Sequence, residues 1–130
     1  MSEAAKALMA KARESLASAK ADLEAGRLNG ASSRAYYAMF HAARAALEMR
    51  GMATGGQRHG TIISRFGRTF VKHGPLDPAL GRALNKTLEL RKEGDYDLAS
   101  PDIQDVKAAL RDAEGLVDAI GKLCAPDADP

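Results

Sequence analysis

Apolar residues recur every three or four positions along most of this chain, the period of a helix with one face turned inward. Ala5, Leu8, Ala12, Leu16, Ala19 and Leu23 carry that period through the first segment and predict a helix over 3–25. Ser2 is placed to cap it, Glu3 sits in its first turn, and Gly26 ends it. After a short turn at 27–30, a second helix is predicted from about Ala31 to Arg50. Ile62, Ile63, Phe66 and Phe70 predict a third over 59–73, stopped by His73-Gly74-Pro75. Asp77-Pro78, a capping side chain followed by proline, starts a fourth. Its stripe is Leu80, Leu84 and Leu88, and it frays at Gly94 into a predicted loop over 93–99. Ser100-Pro101-Asp102 repeats the cap-and-proline start, and Ile103, Val106, Leu110, Ala113, Val117 and Ile120 mark a fifth helix. The expectation is one all-α domain over residues 1–123, an antiparallel up-and-down bundle of five helices, with a disordered tail at 124–130. The first, second, fourth and fifth helices carry the core, and the third closes one side.

The second helix organises the rest. Projected at about 100° per residue, Tyr36, Phe40, Ala43 and Leu47 form a large apolar stripe. Ala35, Ala38, Ala42, Ala45 and Ala46 form a second face of small residues, which lets another backbone come close. A helix apolar over most of its surface is buried among others. Between the two faces runs a polar strip of Arg34, Tyr37, His41, Arg44 and Glu48, which is either an edge of the bundle or a site. The breadth of the apolar and alanine faces points to a second copy of the chain, a homodimer.

Composition supports helix throughout, with few aromatic and few β-branched residues. The single cysteine, Cys124, excludes a disulfide framework within one chain and reads as a small buried apolar residue. No apolar run is long enough to span a membrane and the N-terminus lacks an apolar signal core, so a cytoplasmic location is expected. His41, His59 and His73 are scattered without metal-ligand spacing, so neither a metal nor a cofactor is expected. The net charge of +2 conceals an asymmetry: residues 50–92 hold nine basic side chains against Asp77 and Glu89. That segment is a candidate attractor of nucleic acid or an acidic partner, or else a solvated face. Arg91, Asp95 and Tyr96 form the second informative group, a guanidinium, a carboxylate and a phenol together at a helix end. Such a group binds phosphate, or simply positions its own members.

The run Tyr36-Tyr37-Ala38-Met39-Phe40-His41, with Arg58-His59-Gly60, Phe66, Phe70-Val71-Lys72, Leu90-Arg91 and Gly94-Asp95-Tyr96, resembles the small stand-alone proteins of the HEPN domain family across about residues 4–123. The resemblance implies a helical bundle that dimerises and is often encoded beside a minimal nucleotidyltransferase in toxin–antitoxin-like pairs. It implies further that a ribonuclease branch uses an arginine, followed shortly by a histidine, to cleave RNA without metal. In some pairs a nearby tyrosine is modified by the nucleotidyltransferase. Here Arg91 is followed five residues later by Tyr96 rather than histidine. A phenol, with its ordinary pKa of about 10, is a poor general base at neutral pH. Arg34 and His41, and Arg68 and His73, match the spacing by count alone.

The leading expectation is therefore a HEPN-like module that binds a partner protein and RNA or a nucleotide. Arg34, Tyr37, His41, Arg44, Arg91, Asp95 and Tyr96 are its candidate ligand residues, with arginines holding phosphate and Tyr37 stacking on a base. The first alternative is a metal-independent endoribonuclease in which His41, Arg34, Arg91 or Tyr96 does the chemistry. The second is a purely structural oligomerisation bundle.

Overall fold

A computed structural model describes residues 2–96 and 100–125, the side chain of Tyr96 excepted. Five α-helices follow one another: α1 (Glu3–Glu24), α2 (Leu28–Met49), α3 (His59–Phe66), α4 (Pro78–Tyr96) and α5 (Ile103–Cys124). A π-helical turn, Gly67–Lys72, extends α3. The expected all-α bundle is the architecture found, with no strand among the described residues.

The ends of the helices show why the chain breaks where it does. Ser2 accepts a hydrogen bond from the Ala5 amide at 3.1 Å and caps α1. At its other end Gly26 adopts φ 77°, which a side chain would resist. The Arg27 amide then reaches back to the Asp22 carbonyl at 2.8 Å and Gly26 to Leu23 at 3.0 Å, a Schellman closure. This closure is so tight that α2 starts at Leu28, three residues before the expected boundary. Gly51 closes α2 in the same way. Asp77 caps α4 by accepting from the Ala79 amide at 2.9 Å.

Three expectations need correction. The third helix is not uniform over 59–73: beyond Phe66 it widens into the π-helical turn. Asp102, not Ser100, caps α5, accepting from the Gln104 amide at 2.7 Å. Residues 93–96 are not a loop, because α4 continues unbroken to Tyr96. The tail at 126–130 and residues 97–99 lie outside the described residues.

α2 is the axis of the bundle and packs against α1, α3, α4 and α5. Tyr36, Ala43 and Leu47 are fully buried and Phe40 is 4% exposed, so the large apolar stripe is core. The alanine face is fully buried as well. One chain already covers it, so a homodimer would be built on other surface. Among the described residues Ile103 is the one large apolar side chain left exposed. Cys124 is buried, which raises its thiol pKa. No helix of the described residues is long and apolar enough to cross a membrane.

Candidate functional site

The polar strip of α2 divides in the structure. Its lower half is a latch. Thr54, buried in the glycine-rich connection after α2, accepts from the Arg44 Nε at 2.8 Å and donates its hydroxyl to Glu48 Oε2 at 2.8 Å. The Thr54 amide donates to the same carboxylate oxygen at 2.7 Å. A single threonine thus ties the connection back to two residues one helical turn apart. That fixes where α3 begins, and so where its first residue, His59, is presented.

His59 is the centre of the upper half. Its ring stacks on Phe40 with centroids 4.0 Å apart, and its Nδ1 lies 2.9 Å from the Tyr36 hydroxyl. Burial, reinforced by the neighbouring Tyr37 and opposed by Arg91, pushes the Tyr36 pKa up to about 12, so the phenol keeps its proton. Burial, then Arg91 and Arg44, lower the pKa of His59. Its outer edge is exposed, but the face on Phe40 is shielded from water. The phenol and Nδ1 share one hydrogen bond, whose donor is set by the His59 tautomer.

Tyr37 lies between the two imidazoles, its centroid 6.0 Å from His41 and 5.9 Å from His59. Burial first, then Lys11, Arg44 and His59, lower the pKa of His41. Its Nδ1 is buried without a hydrogen-bond partner. Arg91 of α4 completes the group, its guanidinium 5.4 Å from the Tyr36 ring and 5.1 Å from that of Tyr37. Arg91 Nε is 3.5 Å from Asp95 Oδ2, an ion pair within α4, but it makes no hydrogen bond. Gly94 lets the end of α4 come this close: a Cβ there would sit 2.8 Å from Asn29 Oδ1 on α2.

The structure therefore gathers Tyr37, His41, Arg44 and Arg91, with Asp95 behind Arg91. Arg34 is not in the group. It turns to α1, where Asp22 Oδ2 is 4.0 Å away and the other oxygen of that carboxylate is held by Arg27 at 2.9 Å. Arg68 bonds back to Ser64 on its own turn at 3.3 Å, and His73 follows the π-helical turn at an exposed position. The side chain of Tyr96 lies outside the described residues. Sequence reasoning passed over Tyr36 as plain core and His59 as scattered. Their contact joins residues 23 positions apart, so no local spacing reveals it.

The arrangement holds two neutral imidazoles, two guanidinium groups and a half-buried aromatic face. Two of its buried nitrogens are unpaired. Hydrogen-bond donors and cations of this kind suit a phosphate-bearing ligand with a ring to stack. Among the described residues no group of histidine, cysteine and carboxylate side chains could hold a metal ion. A separate groove of about 180 Å³ between α4 and α5, lined by Lys86, Thr87, Leu90, Glu93, Asp105 and Asp112 among others, shares none of these residues.

The chain is 40% identical over 114 residues, 87% of its length and 85% of the relative's, to a protein of Thermotoga maritima named "UPF0332 protein". It is 34% identical over 120 residues, 92% of its length and 88% of the relative's, to a Methanocaldococcus jannaschii protein named "Putative toxin". A second "UPF0332 protein", of Pyrococcus horikoshii, is 41% identical over 71 residues, 55% of this chain and 49% of that one. Residues 5–123, nearly the whole bundle, match the HEPN domain, and the chain belongs to the HEPN domain family.

Proposed function

We propose that this protein is a toxin-type HEPN module that binds RNA or a nucleotide at the junction of α2, α3 and α4. We propose also that it works with a partner protein, for which the family resemblance suggests a minimal nucleotidyltransferase. The observation that carries the ligand reading is Arg91. Its guanidinium lies against two tyrosine rings, with its Nε buried, 3.5 Å from Asp95 Oδ2 and without a hydrogen bond. A buried donor left without a hydrogen bond costs about 1–3 kcal/mol, and an anion accepting from Arg91 offsets that cost. The relative named "Putative toxin" supports the toxin half of the reading.

Titration of a labelled oligoribonucleotide at low salt tests it. The native protein is expected to bind, and Arg91→Ala to bind at least about tenfold more weakly at an unchanged melting temperature, as loss of a charge-assisted hydrogen bond requires. Equal binding by the two proteins, or none by either, sinks the reading. The partner is tested by intact mass after co-expression with a neighbouring nucleotidyltransferase. A nucleotide-sized adduct lost in Tyr96→Phe supports modification of that tyrosine.

The second imidazole favours one alternative, metal-independent RNA cleavage by His41 and His59 in place of the histidine missing at position 96. The protonation of the two rings weighs against it at neutral pH.

A further inference from the structure

We infer that the outer face of α3 and its π-helical turn is a track for the phosphate backbone of single-stranded RNA, leading into the site at the α2–α3–α4 junction. This rests on the ligand reading above and narrows it from nucleotide or RNA to a polynucleotide. Residues 49–76 contain no aspartate or glutamate. Within them Arg58, Arg65, Arg68 and Lys72 follow at spacings of seven, three and four, which puts them on one side of the helical segment. Ile62, Ile63, Phe66 and Phe70 occupy the other side and are all buried. Arg58, Arg68 and Lys72 are exposed and Arg65 is half-buried.

The charges on this face are uncompensated. Of the nineteen lysines and arginines, six (Lys6, Lys20, Arg27, Arg34, Arg91 and Lys92) have a carboxylate within 4.0 Å among the described residues, and thirteen have none. Among the described residues none of the four cations on the α3 face has one. Like charges three and four residues apart on a helix repel. Arg58 stands at the N-cap of α3, the end where a cation meets the positive pole of the helix. A polyanion lying along the face relieves both penalties.

The geometry favours RNA over other anions. The segment His59–Lys72 is on the order of 20 Å long, the length of several nucleotides rather than one. It starts at His59, which belongs to the site, so a strand along the track delivers a base to Tyr37 and the imidazoles. Stacking there requires an unpaired base, which selects single-stranded RNA over a duplex. An acidic protein would have no use for the stacking residues at the end of the track.

The test compares two probes, adenosine monophosphate and an oligouridylate twelve nucleotides long, on the native protein and on the triple variant Arg65→Gln/Arg68→Gln/Lys72→Gln. All three positions lie outside the core, and an unchanged melting temperature establishes that the variant is folded. A charge-preserving variant, Arg65→Lys/Arg68→Lys, controls for altered packing and is expected to bind as the native protein does. The glutamine variant is expected to lose at least about tenfold in RNA affinity, and its logarithmic salt slope to fall by about 2, at roughly 0.7 for each phosphate no longer neutralised. Binding of the mononucleotide should not change. Native RNA affinity and slope in the glutamine variant, with the mononucleotide still bound, would overturn the track and leave the site reading standing. Weakened RNA binding by the glutamine variant, with native RNA binding by Arg91→Ala, would keep the track and remove the site reading. Displacement of the RNA by polyglutamate at equal charge concentration would also overturn it, in favour of an acidic protein partner.

Discussion

The hydroxyl of Tyr36 lies 2.9 Å from Nδ1 of His59. It donates to the tautomer with its proton on Nε2 and accepts from the other. In Tyr36→Phe that bond is gone and both tautomers of His59 should be populated, while its lowered pKa, which burial, Arg91 and Arg44 set, should persist. Imidazole nitrogen chemical shifts across a pH titration read this directly. Removing the bond should also cost about 1 kcal/mol of stability. Unchanged nitrogen shifts would mean that the Tyr36 hydroxyl does not influence the tautomer of His59. Both site histidines titrate below the ordinary 6.5 in the folded protein. The unfolded chain therefore binds more protons just below that value, and stability rises with pH through this window. The contribution is complete above about pH 6.5 and is lost as pH falls toward the lowered folded-state values. The melting temperature should accordingly drop between about pH 7.5 and 5.5, and drop less in His41→Gln/His59→Gln. Equal drops in the two proteins would assign the effect to the carboxylates.

At the scale of the element, α2 is where sequence and structure agree most closely. A helix with a wide apolar arc can satisfy it only from the bundle centre, and the projection of Tyr36, Phe40, Ala43 and Leu47 onto one arc anticipated their burial. Phe40→Ala should cost about 3–5 kcal/mol, because the ring is buried. Chemical denaturation measures it, and a native midpoint would show that this face is not core. What the pattern could not show is the connection after α2. Three glycines in residues 51–57 suggest a slack loop. Instead Thr54 is buried between Arg44 and Glu48, an arrangement of polar side chains that leaves no periodic trace. Thr54→Val keeps the shape but takes the hydroxyl from Arg44 and Glu48, leaving Glu48 the amide of residue 54 alone. It should cost about 1–3 kcal/mol and speed amide exchange over residues 51–58. Unchanged exchange there would mean that the glycines, not the latch, govern the loop. The same blindness hid His59 and freed Arg34: each is placed by a residue on another helix, and helical spacing reports only neighbours on the same one.

At the scale of the whole molecule, the question is whether a site with two imidazoles cleaves the RNA it is proposed to hold. Cleavage by transfer to the ribose 2′-hydroxyl needs one group to take a proton and another to give one. The giver must be an imidazolium. Burial lowers the pKa of both His41 and His59, and the cations Lys11, Arg44 and Arg91 lower it further, so neither is protonated at neutral pH. The taker needs a free lone pair, and Nδ1 of His59 is engaged with the Tyr36 hydroxyl. Nδ1 of His41 is buried without a hydrogen-bond partner. Neither imidazole is then set to act as the acid at neutral pH. The isolated protein at about pH 7.5 in chelator should bind oligoribonucleotide and leave it close to intact over hours. Any cleavage should grow as pH falls and one imidazole gains its proton. Fast chelator-resistant cleavage at that pH that disappears in His41→Ala would refute this assignment. It would show that RNA binding itself shifts the imidazole pair into catalytic form, since a bound phosphate adds the one negative charge the site lacks and raises both pKa values.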